Sequence, residues 1–527
     1  MSTDQLPKLP ERAPGLSLAS ILPDAHIVGG DDIAFKSCCG QWSECEPGDL
    51  YVAIVGSEVD GHDYALEAIQ RGATAIVTER LLAVRCPQFI VHDSRLAYGQ
   101  VSHALAGNPS GRIAAIGVSG TDGKTVTAHL IHSVLKVAGH EPGLSTSIKN
   151  HFGKTSLGIF KPNTGTKTEL AKNAPTLAQQ MANMVTGKCT HAIIEMASIP
   201  LAQRAMAGTE LDVAVLTNIR KRHLEYHGSS FNYRRAKKQL INQLKPTGVA
   251  ILNADDATSR QLIDDMDVPT LTIGIHETAE VTAKLLERNQ SFQVFMLQAG
   301  GQSVPVQTKI IGKQHVYNCL SATAVGSAMG IELDVIAEGL ERATIPGRLE
   351  RVDCGQPFGV WIDSAKSPNQ LLAALGAIGR VVEGKVWCVC STDETQSQGD
   401  RRQLGEILER MTEKAIITCG KIDKHIDYEP AHQVIDGFSN ATKPMVVPDR
   451  FKAIEFALAN AADGDAVLVA GCGEKPIAIL GQPSTSVKEN QNWRFNDRDV
   501  CRAWLYDQTL PPLPDSGPIT FRLDDYR

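Results

Sequence analysis

The chain has 527 residues, with 52 Lys and Arg against 59 Asp and Glu, a formal charge of −7 that no long single-sign block concentrates, which disfavours a nucleic-acid coat. It is 43% apolar and 21% charged, the composition of an ordinary globular protein, and at roughly 100–200 residues per domain its length allows about three domains. A small disulfide-stapled scaffold is excluded, and no run approaches the ~18 apolar residues of a membrane span.

The opening MSTDQLPKLPERAPGLSLASIL lacks a basic region followed by an apolar core and a small-residue cleavage site, which predicts a cytoplasmic chain. The twelve cysteines are scattered. Only Cys38, Cys39 and Cys45, and then Cys388 and Cys390, lie close together, and the lack of any CxxC pair argues against zinc. Most fall in apolar runs such as VWCVCS and AIITCG, where they read as small buried hydrophobes in a reducing compartment.

In chain order, DLYVAIVG, ATAIVTE and QFIVHD read as strands around a helical HDYALEAIQRG, a small α/β domain. SHALAGNPSGR has the small and turn-forming residues of a linker, which sets a boundary near residue 110. RIAAIGV, SGTDG and KTVTAHLIHSVLKVAG then read as strand, glycine loop and helix. Buried strands follow at THAIIEMA, DVAVLTN and GVAILNAD, the continuous apolar runs of a parallel sheet covered on both faces. Residues 281–311 alternate as antiparallel strands do, and a helix is expected from near Gln314. Beyond Pro346 and Gly347, the runs GVWID, KVWCVCS, AIITCG and DAVLVAG alternate with helices after Pro368, from Arg402 and from Arg450, a doubly wound, Rossmann-like spacing.

The segment from Gly117 to Thr125, GVSGTDGKT, carries the most chemistry. Glycines let backbone N–H groups curl round phosphate oxygens and the helix start adds partial positive charge. Lys124 reaches the β/γ-phosphates, and the Thr125 hydroxyl can hold Mg²⁺. The strict pattern places four residues between its first Gly and Gly-Lys; here five separate Gly117 from Gly123. Glu195 and His223 stand at or just past strand ends, where open α/β sheets place ligands. Taken alone, Glu195 is a strand-end carboxylate, His223 a solvated loop histidine and Lys237 one charge of the basic face RRAKK.

SGTDGKT, ELDVAVLTNIRKRHLEYHGSSFNYRRAKKQL, ILNADD, GKQHVYNCLSA and IPGRLERV together resemble the Mur ligase family, most of all its UDP-N-acetylmuramyl-tripeptide synthetases. The similarity extends from PGDLYVAIVGSEVDGHDYALEAIQRGA to NDRDVCRAWLY. It implies an α/β, three-domain Mur ligase architecture: residues 1–110 an N-terminal UDP-substrate-binding-like domain, 111–346 a central ATP-binding P-loop domain with a parallel sheet, and 347–527 a C-terminal Rossmann-like ligase domain. By position, Gly120, Thr121, Asp122, Gly123, Lys124 and Thr125 match the phosphate loop; Thr125, Glu195 and His223 the metal ligands; and Lys237 the family's carbamylated lysine. Asn318 matches the adenine contact, Arg348 and Asp363 the phosphate and ribose contacts, and Ser198, Gln203, Arg401 and Gly471 substrate contacts.

Several family motifs are altered. Glu-Val-Ser-Ser-His reads Glu195-Met-Ala-Ser-Ile199, and Ala205 stands where an arginine is expected. Asp-Tyr-Ala-His-Thr-Pro reads Asp363-Ser-Ala-Lys-Ser-Pro368, the Gly-Gly-x-Arg-Asp turn becomes Ser391 to Gln398, and Lys-Arg-Pro is reduced to Asp400, Arg401 and Arg402. The Asp-Asn-Pro-Arg of diaminopimelate-adding enzymes reads Gly420-Lys-Ile-Asp423, and Gly-Lys-Gly-His-Glu reads Gly471-Cys-Gly-Glu-Lys475. In the first domain Gln41-Trp-Ser43 replaces Asp-Ser-Arg; Trp42 has a ring that can stack on uracil, but a surface or core position is the preferred reading.

The implied activity is ATP- and Mg²⁺-dependent amide ligation in peptidoglycan precursor synthesis, through an acyl phosphate. A UDP-N-acetylmuramyl peptide would be the carboxyl donor and an amino acid or other amine the acceptor. The altered motifs leave two alternatives, a degenerate nucleotide-binding paralogue with a regulatory or scaffold role, and a ligase retargeted to another amine, for which Lys366, Glu474 and Lys475 would be a rebuilt pocket.

Overall fold

A computed structural model describes residues 16–56, 59–153, 173–220, 224–264, 266–392, 396–418, 427–440, 442–475 and 496–506. The chain divides into two compact units, Met1–Glu280 with Ala324–Ile331, and Val281–Thr323 with Glu332–Arg527.

Besides a short antiparallel pair, Leu16–Ser17 with Ala34–Phe35, the first unit holds two larger sheets. In the N-terminal one, β1 (His26–Val28), β2 (Cys38–Cys39), β3 (Leu50–Val52), β4 (Ala75–Thr78) and β5 (Gln88–Ile90) lie in the order β1-β5-β4-β3-β2, parallel except for β1 against β5. Leu50, Val52, Ala75, Val77 and Phe89 bury one face against Ala97 and Val101 of the helix Ser94–Leu105. That helix runs four residues into the stretch expected to be linker. Asp93 caps its start, and burial of Val101, Ser102 and His103 holds its last turns. The chain breaks instead at Gly107 and Asn108, both with positive φ.

The central sheet of the same unit comprises β6 (Ala114–Ser119), β7 (Pro142–Ser145), β8 (Asn150–His151), β9 (His191–Glu195), β10 (Leu211–Leu216), β11 (Leu244–Asn253) and β12 (Thr270–Gly274), ordered β8-β7-β9-β6-β10-β11-β12. Only β8 runs antiparallel to its neighbour. Every residue of β9 is buried, the two-sided coverage its apolar run predicts. On one face Ala115, Ala192, Ile194, Ala214 and Leu216 pack with Leu177, Met181 and Met184 of the helix Ala174–Thr186.

In the second unit, β13 (Val281–Arg288), β14 (Gln293–Ala299) and β15 (Gln302–Thr308) form the expected antiparallel meander. The helix expected near Gln314 spans Lys313–Ala328, its residues up to Thr323 counted in this unit and those from Ala324 in the first. Strands β16 (Glu350–Val352), β17 (Gly359–Asp363), β18 (Val386–Ser391), β19 (Lys414–Thr418), β20 (Pro444–Val446) and β21 (Ala466–Ala470) form a sheet ordered β16-β17-β21-β18-β19-β20, with only β16 antiparallel. Leu371, Leu375, Leu404 and Leu408 cover one face, and Ile454, Leu458 and Val500 the other, so the sheet is doubly wound. The helix expected from Arg402 starts at Gln398, because Ser397 accepts a hydrogen bond from the Asp400 N–H and caps it earlier.

Cys388 and Cys390 are buried free thiols, as their apolar runs predict. Cys39 and Cys45 depart from that reading and form a disulfide: the short helical turn Trp42–Glu44 brings the chain back until their Cα atoms are 5.8 Å apart. Among the described residues no helix is long and apolar enough to cross a membrane.

Candidate active site

The carboxyl ends of β6, β9 and β10 converge on the glycine loop. Gly120 (φ 146°) and Gly123 (φ 87°) adopt backbone conformations that L side chains rarely take, and a Cβ on Gly120 would overlap Thr217 Oγ1. Asn218, just past β10, braces the loop. Its carbonyl accepts from the Thr121 N–H at 2.9 Å and its side chain from the Asp122 N–H at 3.1 Å. Thr217 Oγ1 and Asn218 Nδ2 both donate to the Asp122 carbonyl, at 2.6 and 3.0 Å. The helix Lys124–Val137 starts at Gly123, so its first turn presents N–H groups and partial positive charge beside the loop.

Lys124 folds back over the loop, its Nζ donating to the carbonyls of Gly120 and Thr121 at 3.1 and 2.9 Å. Thr125 Oγ1 donates to Glu195 Oε2 at 2.9 Å, and the Ser147 N–H donates to the same oxygen at 3.1 Å. The Ser147 hydroxyl lies 3.1 Å from Thr125 Oγ1. Thr125 and Glu195 are buried. These donors are all oxygens, one of them a carboxylate, at the edge of the glycine loop. Such a set suits a small hard cation such as Mg²⁺ rather than a soft metal. His223, expected to join them, lies outside the described residues.

Lys237 is 1% exposed, so the basic-face reading of RRAKK fails for it. Ser229 caps the helix Ser230–Lys238 and, of RRAKK, turns Ala236 and Lys237 inward with Tyr233. Lys237 Nζ donates to Ser119 Oγ at 3.0 Å and to the Gly120 carbonyl at 2.8 Å. One turn earlier, the Tyr233 hydroxyl lies 2.9 Å from Thr121 Oγ1 and its ring centroid 5.6 Å from Lys237 Nζ.

Ser198 is buried beside His227, its Oγ 3.1 Å from Nε2, and Gln203 donates to the Tyr226 hydroxyl at 3.0 Å. Ala205 is buried; the neighbouring Arg204 turns away to Asp93 and Gln239 and does not stand in for the missing arginine.

In the second unit, Asp363 accepts from the N–H groups of Leu349 and Ala365, both at 2.7 Å, while the Gly471 N–H donates to the Asp363 carbonyl at 2.9 Å. Burial raises the Asp363 carboxyl pKa above the ordinary range, against the opposing pull of the Arg348 guanidinium. Gly347 (φ 64°) presses on Gly473 and Glu474, leaving no room for a Cβ. Burial also raises the Glu474 carboxyl pKa, opposed by Arg498. Arg348, Asp363 and Gly471 thus gather at one sheet edge, whereas Arg401 sits on the helix Gln398–Met411 and donates to Gln433 at 2.7 Å. Asn318 is buried in the helix Lys313–Ala328. Residues 420–423 lie outside the described residues. Trp42 is half-buried: it stacks on Tyr64, ring centroids 5.6 Å apart, and packs against the Cys39 and Cys45 cluster.

Sequence reasoning missed Ser147, Asn218 and Tyr233. Ser147 and Asn218 lie two residues beyond the carboxyl ends of β7 and β10, where the strand-end rule that picked out Glu195 also applies. Tyr233 had no comparable signal.

Comparisons with known proteins agree along the chain. The family descriptions "Mur ligase family, catalytic domain", "Mur ligase middle domain" and "Mur ligase, glutamate ligase domain" match residues 33–102, 118–326 and 347–473. The UDP-N-acetylmuramoyl-L-alanyl-D-glutamate--2,6-diaminopimelate ligase of Geobacillus thermodenitrificans is 34% identical over 497 residues, 92% of this chain and 98% of that protein. The ligase of the same name from Bacillus cereus is 30% identical over 496 residues, 92% and 97% of the two chains. A solved structure of a ligase of that name superposes with a TM-score of 0.66 at 22% identity, covering 94% of this chain and 99% of the other. MurF of Thermotoga maritima in complex with ADP gives 0.57 at 21% identity, covering 82% and 93%.

Proposed function

This chain belongs to the Mur ligase family, ATP-dependent ligases that work with Mg²⁺, and from that premise we propose that it joins a UDP-N-acetylmuramyl peptide to an amine in peptidoglycan precursor synthesis. The observation that carries the reading is the buried Thr125–Glu195 pair, 2.9 Å apart beside the glycine-loop lysine, in a chain similar to such a ligase over 92% of its length. We assign its working parts as residues 1–110 for the UDP-substrate end, 111–346 for ATP and 347–527 for the final ligase domain. The family matches at 33–102, 118–326 and 347–473 support that division. We place the reaction in the cytoplasm, where ATP is supplied.

A carboxylate is a poor electrophile. In the reaction a carboxylate oxygen of the donor peptide attacks the γ-phosphorus, ADP departs, and the acyl phosphate is then attacked at carbon by the amine, releasing phosphate. Phosphoryl transfer of this kind relies on positioning and on neutralising charge. The loop from Gly120 to Gly123 and the helix start would hold the phosphates, with Lys124 supplying a cation. Thr125 and Glu195 would hold Mg²⁺, which supplies charge neutralisation at the phosphates, with His223 assigned to the same role. Lys237, carbamylated as in the family, would bring a carboxylate to the same edge. We assign Asn318 to adenine, Arg348 and Asp363 to phosphate and ribose, and Ser198, Gln203, Arg401 and Gly471 to the peptide and amine.

For the amine we propose a compound other than meso-diaminopimelate. The sequence supports this at two places: Gly420-Lys-Ile-Asp423 has no arginine to fork onto a carboxylate, and Lys475 replaces an acidic partner. The test measures phosphate release from ATP with UDP-N-acetylmuramyl-dipeptide and a panel of amines. Amine-dependent turnover is expected. Nucleotide binding without turnover for any amine would mean the degenerate paralogue instead, and efficient turnover with meso-diaminopimelate would refute the amine assignment.

A further inference from the structure

Away from the glycine loop, three metal-ligating groups of the first unit meet at the turn after β2. Cys39 ends that strand, Cys45 follows the short helical turn Trp42–Glu44, and Asp49 stands just before β3. Their ligand atoms, two sulfurs and a carboxylate oxygen, lie within 4.8 Å of one another, and the described residues hold no other such group. All three are buried, at 5%, 2% and 6% exposure. Asp49 is a charged group held by neutral donors: Oδ1 accepts from the Ser37 hydroxyl and Oδ2 from the Glu46 N–H at 2.9 Å. Among the described residues no Lys or Arg pairs with it. Arg71 reaches the same turn, but its Nε donates to the Cys45 carbonyl at 3.3 Å. A buried carboxylate without a cation is costly, and hydrogen bonds to a carboxylate are how proteins orient one toward a metal.

We propose that Cys39, Cys45 and Asp49 form a zinc site of the reduced chain, which ties the Trp42–Glu44 turn to the N-terminal sheet, an inference independent of the ligase reading. In this structure the two sulfurs are joined, and that bond and the metal exclude one another. Two molecules of a thiol open it: they become one disulfide, and two electrons and two protons pass to Cys39 and Cys45. Zinc then displaces the two protons, forms two Zn–S bonds and takes Asp49 as its third ligand. Bonds of about 2.3 Å to sulfur and about 2.0–2.2 Å to oxygen reach across a span of this size. Two thiolates with one carboxylate suit zinc better than Mg²⁺ or Ca²⁺, which take oxygen, or Cu(I), which takes soft sulfur. The ligands carry three negative charges against two positive on the ion, and Arg71 beside Cys45 offsets the remainder. Three protein ligands leave one position of a tetrahedron for a water. Tyr51, Ala53, Ala65 and Ala68 pack round the sulfurs and keep bulk water from them. The expectation against zinc rested on CxxC spacing, whereas here a folded turn gathers ligands that lie further apart in the chain.

The test uses the full chain with zinc alone as the probe and a phosphine reductant that brings no competing thiol. After reduction and removal of excess metal the chain should hold stoichiometric zinc; kept oxidised, it should hold none. Competition with a chelating dye should show affinity falling roughly tenfold or more in Asp49→Asn, and zinc should be lost altogether when Cys39→Ser and Cys45→Ser are combined. Cys38→Ser should keep the metal, because Cys38 packs into a different cluster on the other face of the strand. Cobalt(II) in place of zinc should give thiolate charge-transfer absorption in the reduced wild type and none in the double variant. Substoichiometric zinc in the reduced wild type, zinc retained by the double variant, cobalt without that absorption, or wild-type affinity in Asp49→Asn overturns the site. If Asp49→Asn does not fold, Asp49→Cys takes its place: a third thiolate should strengthen the cobalt absorption, and no gain there removes Asp49 from the ligands and overturns the assignment.

Discussion

Lys124 and Lys237 converge on one oxygen, the Gly120 carbonyl, at 3.1 and 2.8 Å. They reach it from different elements, Lys124 from the first turn of the helix after the loop and Lys237 from the last turn of the helix Ser230–Lys238. Two ammonium groups at one carbonyl repel, and an arriving polyphosphate would offset that repulsion. Carbamylation of Lys237 would do so as well, by turning one of the two groups into an anion.

Replacing Lys124 with alanine removes the loop's point charge for the β/γ-phosphates and should lower turnover about 10²–10³-fold, the scale for losing one preorganised electrostatic contact. Phosphate-release kinetics and nucleotide calorimetry check it; unchanged affinity and turnover would sink the phosphate-loop assignment.

Lys237→Ala should also lose ligase activity, and short carboxylic acids added to the assay should restore part of it by filling the vacated anionic position. Full activity in the alanine variant would refute the carbamate. Equal loss with and without added acid would show that the lysine acts as an amine.

Gly120→Ala places a methyl group where Thr217 Oγ1 lies and forces an alanine to φ 146°. The backbone term alone costs of order 1–3 kcal/mol. Nucleotide affinity should fall at least tenfold, and adding Thr217→Ser should not recover it, because the hydroxyl and the strained φ both remain. Wild-type affinity in the single variant would show that the loop rearranges freely.

The strand, loop and helix around Lys124 were legible because glycine, lysine and apolar runs fix them locally. Glu195 was legible as a carboxylate at a strand end. Lys237 was not, since charge pattern alone puts RRAKK in solvent; its burial depends on Ser229 starting the helix at the right phase and on Tyr233 packing inward, facts of tertiary structure. The Cys39–Cys45 bond was missed for a similar reason. Their closeness in sequence was visible, but the turn that brings the two together is visible only once folded.

Arg450 and Asp497 form a fully buried two-pronged ion pair, at 2.7 and 2.8 Å, that ties the last described helix to β21 through the Ala470 carbonyl. Asp497→Ala leaves the guanidinium without its anion and should cost about 3–5 kcal/mol. Arg450→Met with Asp497→Leu should cost clearly less. Denaturant unfolding of the three proteins decides it, and a double variant as unstable as the single one would show that packing, not charge, dominates there.

His103 gives a pH test whose sign follows from burial. It lies in the helix Ser94–Leu105 with 1% exposure, its Nε2 3.0 Å from Thr209 Oγ1, and burial lowers its pKa to about 4 from 6.5. Above pH 6.5 the ring is neutral whether the chain is folded or not, and it adds no pH dependence. As pH falls below 6.5 the unfolded chain takes up a proton that the folded chain refuses, so stability drops until about pH 4, where the folded ring protonates too. At pH 5 the loss amounts to about 1.5 pKa units, or about 2 kcal/mol. His103→Gln cannot protonate and should lack this component. Its stability relative to wild type, from urea unfolding, should therefore improve by about 2 kcal/mol between pH 7.5 and pH 5, whatever the substitution costs at neutral pH. His132 and His191, whose pKa values burial also lowers to about 4, contribute acid sensitivity to both proteins alike and cancel in the difference. A difference that stays constant across the range would mean that the ring is hydrated enough to protonate in the folded chain.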